Sequence, residues 1–430
     1  MRKATLKIGI VSAIFPPEPV VSAATSQDVA QCLRDRGHEV RVLTSFPNRP
    51  AGVLYRGYSR RPWLREKMNG IDVLHTWHLL SKKSTFFSRA AENLTFGVSS
   101  SLALALHDFD VVYVNTWPLF SQFLTTLAAA GRGIPLVVSV QDLYPESLAL
   151  KGLIGARSWL ARLMYRFDEF VVGRARFVIA VSEGMREYLI SSRRLIPEKV
   201  INIPNWQDDG LFPAGLPRDG AFRKRHGIDR DKFVCMFAGS VTMSAGMELY
   251  LNTAALLRCR PEILLVIAGD GSRRKWMEQQ ISARRLHNIM VVYPLLPKDV
   301  SETQAAADVM MLSLTGNTAQ NAAPSKLIAY LLSERPVVAC VSKESTPARI
   351  ISEAGAGFVV EPDRPEMLAR AIVECAANKD KLGEMGRVGR RYAMERFSRS
   401  VLLPRLCDLI EKAGGSSAFH GEKTNVQKIA

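Results

Sequence analysis

Ile263-Leu264-Leu265-Val266-Ile267-Ala268-Gly269-Asp270-Gly271-Ser272-Arg273-Arg274 is the stretch on which the fold turns. Six apolar residues in a row suit a strand covered on both faces. Gly269-Asp270-Gly271 stops the run, and a helical pattern follows over 273–283. The stretch is half of a G-x-G-x-x-G fingerprint without its third glycine, so it reads first as a tight strand-to-helix turn with Asp270 or Ser272 capping.

The same unit recurs in both directions along the 430 residues. In the second half, strands are expected at 233–239, 263–268, 289–292, 309–314, 336–341 and 357–360. Helices are expected at 247–258, 273–283, 297–306, 325–333, 347–354 and 365–377. In the first half, strands are expected at 6–15, 39–44, 71–77, 111–115, 135–140 and 177–181. Helices at 24–35, 86–106, 119–130, 158–172 and 183–190 separate them. Such alternation implies parallel strands with crossover helices, hence an α/β chain with two doubly wound, Rossmann-like domains.

Between the halves, 205–230 is rich in proline, glycine and charge and reads as a linker. The expected order is a domain over 1–204, the linker, and a second domain over 231–397. A final helix over 398–412 and a disordered tail over 413–430 complete it. Ligands of open parallel sheets bind beyond the carboxyl ends of the strands, so the two sheets are expected to face each other across a cleft lined by those loops.

Composition excludes several classes. With 47% hydrophobic and 23% charged residues, the chain is not disordered, collagen-like or mucin-like. Six scattered cysteines without a C-x-x-C pair argue against a disulfide framework and a zinc site. His75 and His78 are the only neighbouring histidines. Their odd spacing points them to opposite faces, with no third ligand nearby, so no metal and no other cofactor is expected. No export signal or membrane-spanning helix is expected either. The apolar stretch Ile8 to Phe15 is short, and the charge-free run 111–131 carries Asn115, Thr116, Pro118 and Gln122.

The net charge is +16, and residues 1–200 hold 26 basic against 16 acidic residues. That excess suggests an anionic partner. Two stretches suit an anionic membrane surface. Lys82-Lys83 precedes a helix with Phe87, Ala91, Leu94, Val98 and Leu102 at helical spacing. A second helix carries Arg157, Trp159, Arg162, Leu163, Arg166 and Phe167. A stripe of this kind also arises on any helix that packs on a core.

Candidate site residues lie after strands. Ser325 reads as an N-cap and places Lys326 in a first helical turn, where the helix dipole disfavours a cation unless an anion binds there. Gly239 and Ser240 end a strand, and Gly246 precedes its helix. Small residues there let a backbone approach a ligand. Asp142, directly after 135–140, can orient a hydroxyl or accept a proton, or merely cap a turn. Glu146 reads as a capping or surface residue. Phe15 to Ser22 forms a proline-stiffened loop after the first strand.

These residues resemble retaining glycosyltransferase family 4, with the GT-B fold, and its bacterial branch that builds surface polysaccharides such as colanic acid and O-antigen. The resemblance rests on Phe15-Pro16-Pro17-Glu18-Pro19, Arg36-Gly37-His38-Glu39-Val40, Asp142-Leu143-Tyr144-Pro145-Glu146-Ser147, Ile203-Pro204-Asn205-Trp206, Ile267-Ala268-Gly269-Asp270-Gly271 and Pro324-Ser325-Lys326-Leu327. It implies a UDP- or GDP-sugar donor held mainly by the C-terminal domain. The acceptor, a lipid-linked or oligosaccharide one, would be held by the N-terminal domain. It implies work without a metal on the inner face of the plasma membrane, and no nucleic-acid partner. By that likeness Lys326 and Ser325 contact the donor diphosphate, the Pro19–Ser22 loop with Val20 and Val21 covers the phosphates, and Asp142 lies near the transferred sugar; Pro324, Asn321, Gly239 and Ser240 complete the expected donor-binding set. Lys82, Lys83, Arg162 and Arg166 would face the acceptor or membrane.

There are departures. Two glutamates eight residues apart in many members fall here on Asn321 and Ala329, and the usual Gly-Gly is Val20-Val21. An Arg and a Lys common after the first strand of the second domain are missing from 240–246. A catalytically impaired nucleotide-sugar-binding subunit is therefore the alternative expectation, with a GT-B nucleotide-sugar epimerase behind it.

Overall fold

The computed structural model describes residues 4–49, 51–81, 85–115, 119–150, 152–314 and 325–415. The chain forms two compact units, Met1–Ile203 with Leu403–Ala430, and Pro204–Leu402.

In the first unit the order is β1 (Lys7–Val11), α1 (Val21–Asp35), β2 (Glu39–Ser45), β3 (Trp63–Met68), β4 (Ile71–Thr76), α2 (Phe86–Ala105), β5 (Val111–Val114), α3 (Leu119–Gly131), β6 (Leu136–Val140), α4 (Glu146–Leu150), α5 (Trp159–Arg174), β7 (Phe177–Ala180), α6 (Glu183–Ser192) and β8 (Val200–Asn202). The sheet runs β3-β4-β2-β1-β5-β6-β7-β8. All neighbours are parallel except β3, which pairs antiparallel with β4 from Met68↔Ile71 to Trp63↔Thr76. β5 and β6 are buried at every position because helices cover both faces. α2 starts on a reciprocal cap, with Thr85 and Ser88 each binding the other's backbone. α1 starts at Val21, three residues before the expected Ala24, so Val20 is the N-cap and Val21 the first helical residue. β3 and β8 were not expected from the sequence.

In the second unit the order is α7 (Ala221–Arg225), β9 (Phe233–Ala238), α8 (Met247–Leu256), β10 (Ile263–Ala268), α9 (Arg274–Ala283), β11 (Ile289–Val292), α10 (Val300–Ala305), β12 (Val309–Ser313), α11 (Ser325–Leu332), β13 (Val337–Cys340), α12 (Thr346–Ala354), β14 (Gly357–Val360), α13 (Pro365–Ala377), α14 (Lys379–Phe397) and the start of α15 (Arg399–Gly414). The all-parallel sheet runs β11-β10-β9-β12-β13-β14. The order therefore reverses between β9 and β12, which is where such sheets bind ligands. In the first unit the reversal lies between β1 and β5.

The stretch 205–230 is not merely a linker. Phe212, Phe222 and Ile228 sit in the core of the second unit, and Arg223 is buried with its guanidinium 2.8 Å from Asp308. Turn-forming residues dominate its composition, and three apolar anchors among them give no periodic signal. α15 runs on to Gly414, past the expected start of the tail at 413, and Ala413 is fully buried. Residues 416–430 lie outside the described chain. From Leu403 onward α15 belongs to the first unit. There Arg36 binds Asp408 at 2.7 Å and Glu411 at 2.9 Å, and His38 Nε2 lies 3.2 Å from Glu411. The Arg36-Gly37-His38 motif thus anchors the C-terminal helix.

Candidate functional site

In the second unit the site is built at the sheet's reversal point. β9 delivers Gly239 and Ser240, and α11 delivers Lys326. Tyr330, one helical turn after Lys326 on the same face, is fully buried. Its hydroxyl accepts from Ala238 N at 3.0 Å and donates to Ala238 O at 2.8 Å. That double bond fixes the end of β9 against α11. Lys326 then lies along the next residue, and a Cβ on Gly239 would stand 2.5 Å from Lys326 Cε. Gly239 also has φ +147°, which side-chain-bearing residues rarely adopt. The neighbouring turn closes on it from the other side, since a Cβ on Gly269 would stand 2.0 Å from Gly239 O.

Lys326 Nζ sits 4.6 Å above the Phe237 ring and 3.5 Å from Ser240 O. Among the described residues it has no carboxylate partner. Burial pushes its ammonium below the ordinary lysine value. An unpaired, partly desolvated cation in the first turn of a helix stands against the helix dipole. A bound phosphate reverses that balance, because both the ammonium and the helix end attract an anion.

The structure thus brings together Lys326, Gly239 and Ser240. Ser325 is the first helical residue rather than the N-cap, and its carbonyl accepts from Gln207 Nε2 at 3.4 Å. Pro324 and Asn321 lie outside the described residues. Ala329 packs in the core of the unit. The Gly269-Asp270-Gly271 turn differs in detail from its reading. Asp270 Oδ1 accepts from Gly271 N at 2.7 Å and Arg274 Nε at 2.8 Å. α9 has no side-chain N-cap, so neither Asp270 nor Ser272 caps it.

In the first unit, Val20 and Val21 stand at the start of α1, beyond the carboxyl end of β1. Asp142 follows β6 by two residues and is half-buried. The segment after it is clamped from below. Arg193, whose side chain is fully buried, binds Glu146 at 2.9 Å, Asp168 at 2.8 Å and the Tyr144 carbonyl at 2.8 Å. Tyr188 donates to Glu146 at 2.8 Å. Burial alone would raise the Glu146 carboxyl, yet the Arg193 hydrogen bonds bring it below its usual value. Glu146 is therefore a half-buried structural residue that locks the segment carrying Asp142.

Glu18 Oε1 accepts from the backbone of Asn48 at 2.9 Å and Arg49 at 2.8 Å, fixing the loop after β2. His78 Nε2 lies 3.0 Å from Asn48 Nδ2, and burial holds its imidazole down to about 4. His75 Nε2 lies 2.6 Å from Glu66. Both histidines therefore serve the architecture of this rim. Among the described residues no group of three His, Cys, Asp or Glu could hold a metal ion.

Lys82 and Lys83 lie outside the described residues. Arg162 and Arg166 are exposed on α5, and Arg166 pairs with Glu169 at 3.1 Å. Trp159 beside them is 75% exposed. On α2 the stripe does not face a core: Phe87, Leu94, Val98 and Leu102 are all exposed. Among the described residues no helix is long and apolar enough to cross a membrane.

Comparison with known proteins agrees with this layout. The family description "Glycosyl transferase 4-like domain" fits residues 22–206, and "Glycosyl transferases group 1" fits residues 219–392. The chain is 26% identical over 334 residues to the probable glycosyltransferase WbjE of Pseudomonas aeruginosa, covering 76% of this chain and 80% of that one. It is 24% identical over 406 residues to the putative colanic acid biosynthesis glycosyl transferase WcaI of Escherichia coli, covering 88% and 98%. In fold it matches Anabaena Alr3699/HepE, solved in complex with UDP and glucose, at a TM-score of 0.66 and 18% identity, covering 94% and 99%.

Proposed function

We propose that this chain, which belongs to the glycosyltransferases with a 4-like and a group 1 domain on the GT-B fold, moves a hexosyl or N-acetylhexosaminyl group from a UDP- or GDP-sugar to a lipid-linked or oligosaccharide acceptor, with retention at the anomeric carbon, in cell-surface polysaccharide biosynthesis. The observation that carries the donor half is Lys326: a cation without a carboxylate partner among the described residues, laid over Gly239 at the start of α11. When the bond between the anomeric carbon and the diphosphate breaks, the electron pair stays on the diphosphate. In this reading Lys326 and the N-terminal end of α11 would stabilise that growing charge, with no metal called for. The surface-polysaccharide part rests on the colanic acid biosynthesis named for WcaI.

The first unit is the acceptor side in this reading. Asp142, held by the Arg193 clamp, would orient the acceptor hydroxyl or stabilise positive charge developing on the donor sugar. Exposed Trp159 with Arg162 and Arg166 supports attachment to the inner face of the plasma membrane.

The test is turnover of a panel of nucleotide sugars with and without a bacterial lipid extract. The reading expects donor consumption that requires the extract and a glycosylated lipid product. Ala329, where the family resemblance would lead one to expect a glutamate, favours the second reading of an impaired nucleotide-sugar-binding subunit. That reading expects tight UDP or GDP binding and no turnover. An epimerase would convert its nucleotide sugar with no lipid added.

A further inference from the structure

Cys32 and Cys407 stand near opposite ends of the sequence, and the packing of α15 on α1 brings them together. Arg36 follows Cys32 by one helical turn, and its amide donates to the Cys32 carbonyl at 3.1 Å. Its guanidinium reaches three points of α15 around Cys407: the Pro404 carbonyl at 3.2 Å, Asp408 at 2.7 Å and Glu411 at 2.9 Å. These stand a turn before Cys407, next to it and a turn after it. With Arg36 held in that way, the preceding turn of α1 sets Cys32 against Cys407, and the two thiols are hydrogen-bonded to each other.

The two cysteines differ in ways that divide the labour of thiol–disulfide exchange. Cys32 is partly exposed, whereas Cys407 is fully buried. The hydrogen bond from Cys407 brings the Cys32 thiol down to about 7 against the opposing effect of burial, and the nearby Arg36 guanidinium adds to the lowering. The same hydrogen bond and burial push the Cys407 thiol up. Cys32 therefore meets solvent as a thiolate with a second thiol already beside it. Cys235, Cys340 and Cys375 are buried, and burial holds their thiols above the ordinary value, so they are protonated and shielded. Cys259 is exposed and serves as an internal reference for simple surface reactivity.

We propose that Cys32 and Cys407 form a reversible disulfide that staples α15 to α1, made by exchange with a low-molecular-weight disulfide. The Cys32 thiolate attacks one sulfur of that disulfide and expels the other half as a thiolate, which takes up the proton that Cys32 gave to solvent. Cys407 then attacks the Cys32 sulfur, and its proton leaves with the second half. Two protein thiols are oxidised, and one small disulfide is reduced to two thiols. The staple falls where α15 is weakest. Pro404 has no amide to donate within the helix, and from Leu403 onward the chain belongs to the first unit. Side chains hold that end, and the disulfide backs them with a covalent bond. The proposal is independent of the transferase reading.

The test exposes the reduced full chain to 2-hydroxyethyl disulfide, quenches with acid, alkylates the remaining thiols and maps peptides by mass spectrometry without reduction. The expected main product is a linked Cys32–Cys407 peptide, with Cys259 carrying a mixed disulfide and excess dithiothreitol reversing both. Cleavage of α15 in limited proteolysis should slow at least about tenfold on oxidation of wild type. In Cys32→Ser, at a partly exposed position, the oxidant should leave that rate unchanged. Cys32 trapped as a mixed disulfide in wild type, with Cys407 still free, overturns the proposal. So does an unreacted Cys32 in a sample whose Cys259 has reacted. A linked pair with unchanged proteolysis overturns the staple, and equal slowing in Cys32→Ser assigns the protection to another site and overturns it too.

Discussion

Replacing Gly239 by Ala tests the coupling between the β9 turn and Lys326. The new Cβ would stand 2.5 Å from Lys326 Cε and 3.3 Å from Nζ, so the lysine must leave its place above Phe237. The lost interaction is a charge-assisted one to phosphate, about 1.5–3 kcal/mol, or about 10- to 150-fold in Kd. Backbone strain at φ +147° adds a separate cost of about 1–3 kcal/mol in stability, which lowers the melting temperature by about 2–12 °C for a unit of this size. Lys326→Ala should lose the same affinity with little change in melting. Calorimetric titration of UDP and GDP into both single variants and the double variant gives the cycle. If Gly239→Ala acts by displacing Lys326, the double variant binds no worse than Lys326→Ala alone. Additive losses would mean that Gly239 and Lys326 serve binding independently, and unchanged affinity in Lys326→Ala would remove the lysine from the site altogether.

Three further outcomes follow from the first unit. Asp142→Asn keeps the capping ability and removes the charge, so transfer should fall at least about tenfold, or about 1.4 kcal/mol in the barrier, with melting temperature and nucleotide affinity near wild type; a wild-type rate makes Asp142 structural. Arg193→Ala strands the carboxylates of Asp168 and Glu146 and should cost about 3–5 kcal/mol in urea denaturation, while a loss under about 1 kcal/mol would show the clamp to be dispensable. The His78 imidazole is held down to about 4 in the fold against about 6.5 unfolded, so the unfolded chain takes the proton first as pH falls. The stability lost between pH 6.5 and 4 on this account is up to about 3 kcal/mol, and His78→Gln should show a correspondingly flatter decline; parallel curves would contradict the assignment.

Both sheets were legible because their central strands are covered apolar runs. Phe233–Ala238 and Ile263–Ala268 contain no polar residue, and covered parallel strands need none. β3 escaped notice for the opposite reason: Arg65, Glu66 and Lys67 break its apolar pattern, and an antiparallel edge strand tolerates them. The Asn69-Gly70 turn, with φ 49° and 79°, was the available signal. Lys326 was legible through the helix dipole, an argument local to one turn. Tyr330 four residues on shares its face and was missed, because nothing in sequence says that its hydroxyl meets Ala238, 92 residues away. The ion pair of Glu146 was illegible for the same reason, its partner Arg193 lying 47 residues on. The stripe on α2 shows the limit of periodicity: spacing reveals a face, and only the fold tells whether that face is covered.

The central claim is sugar transfer powered by a donor held at Lys326. The most direct measurement is release of labelled sugar from a panel of UDP- and GDP-sugars into a lipid extract, by wild type and by Lys326→Ala. The account predicts extract-dependent labelling from at least one donor, with the label in the lipid fraction, and a rate at least about tenfold lower in the variant. Nucleotide binding without labelling from any donor, or equal rates in the two proteins, would contradict it.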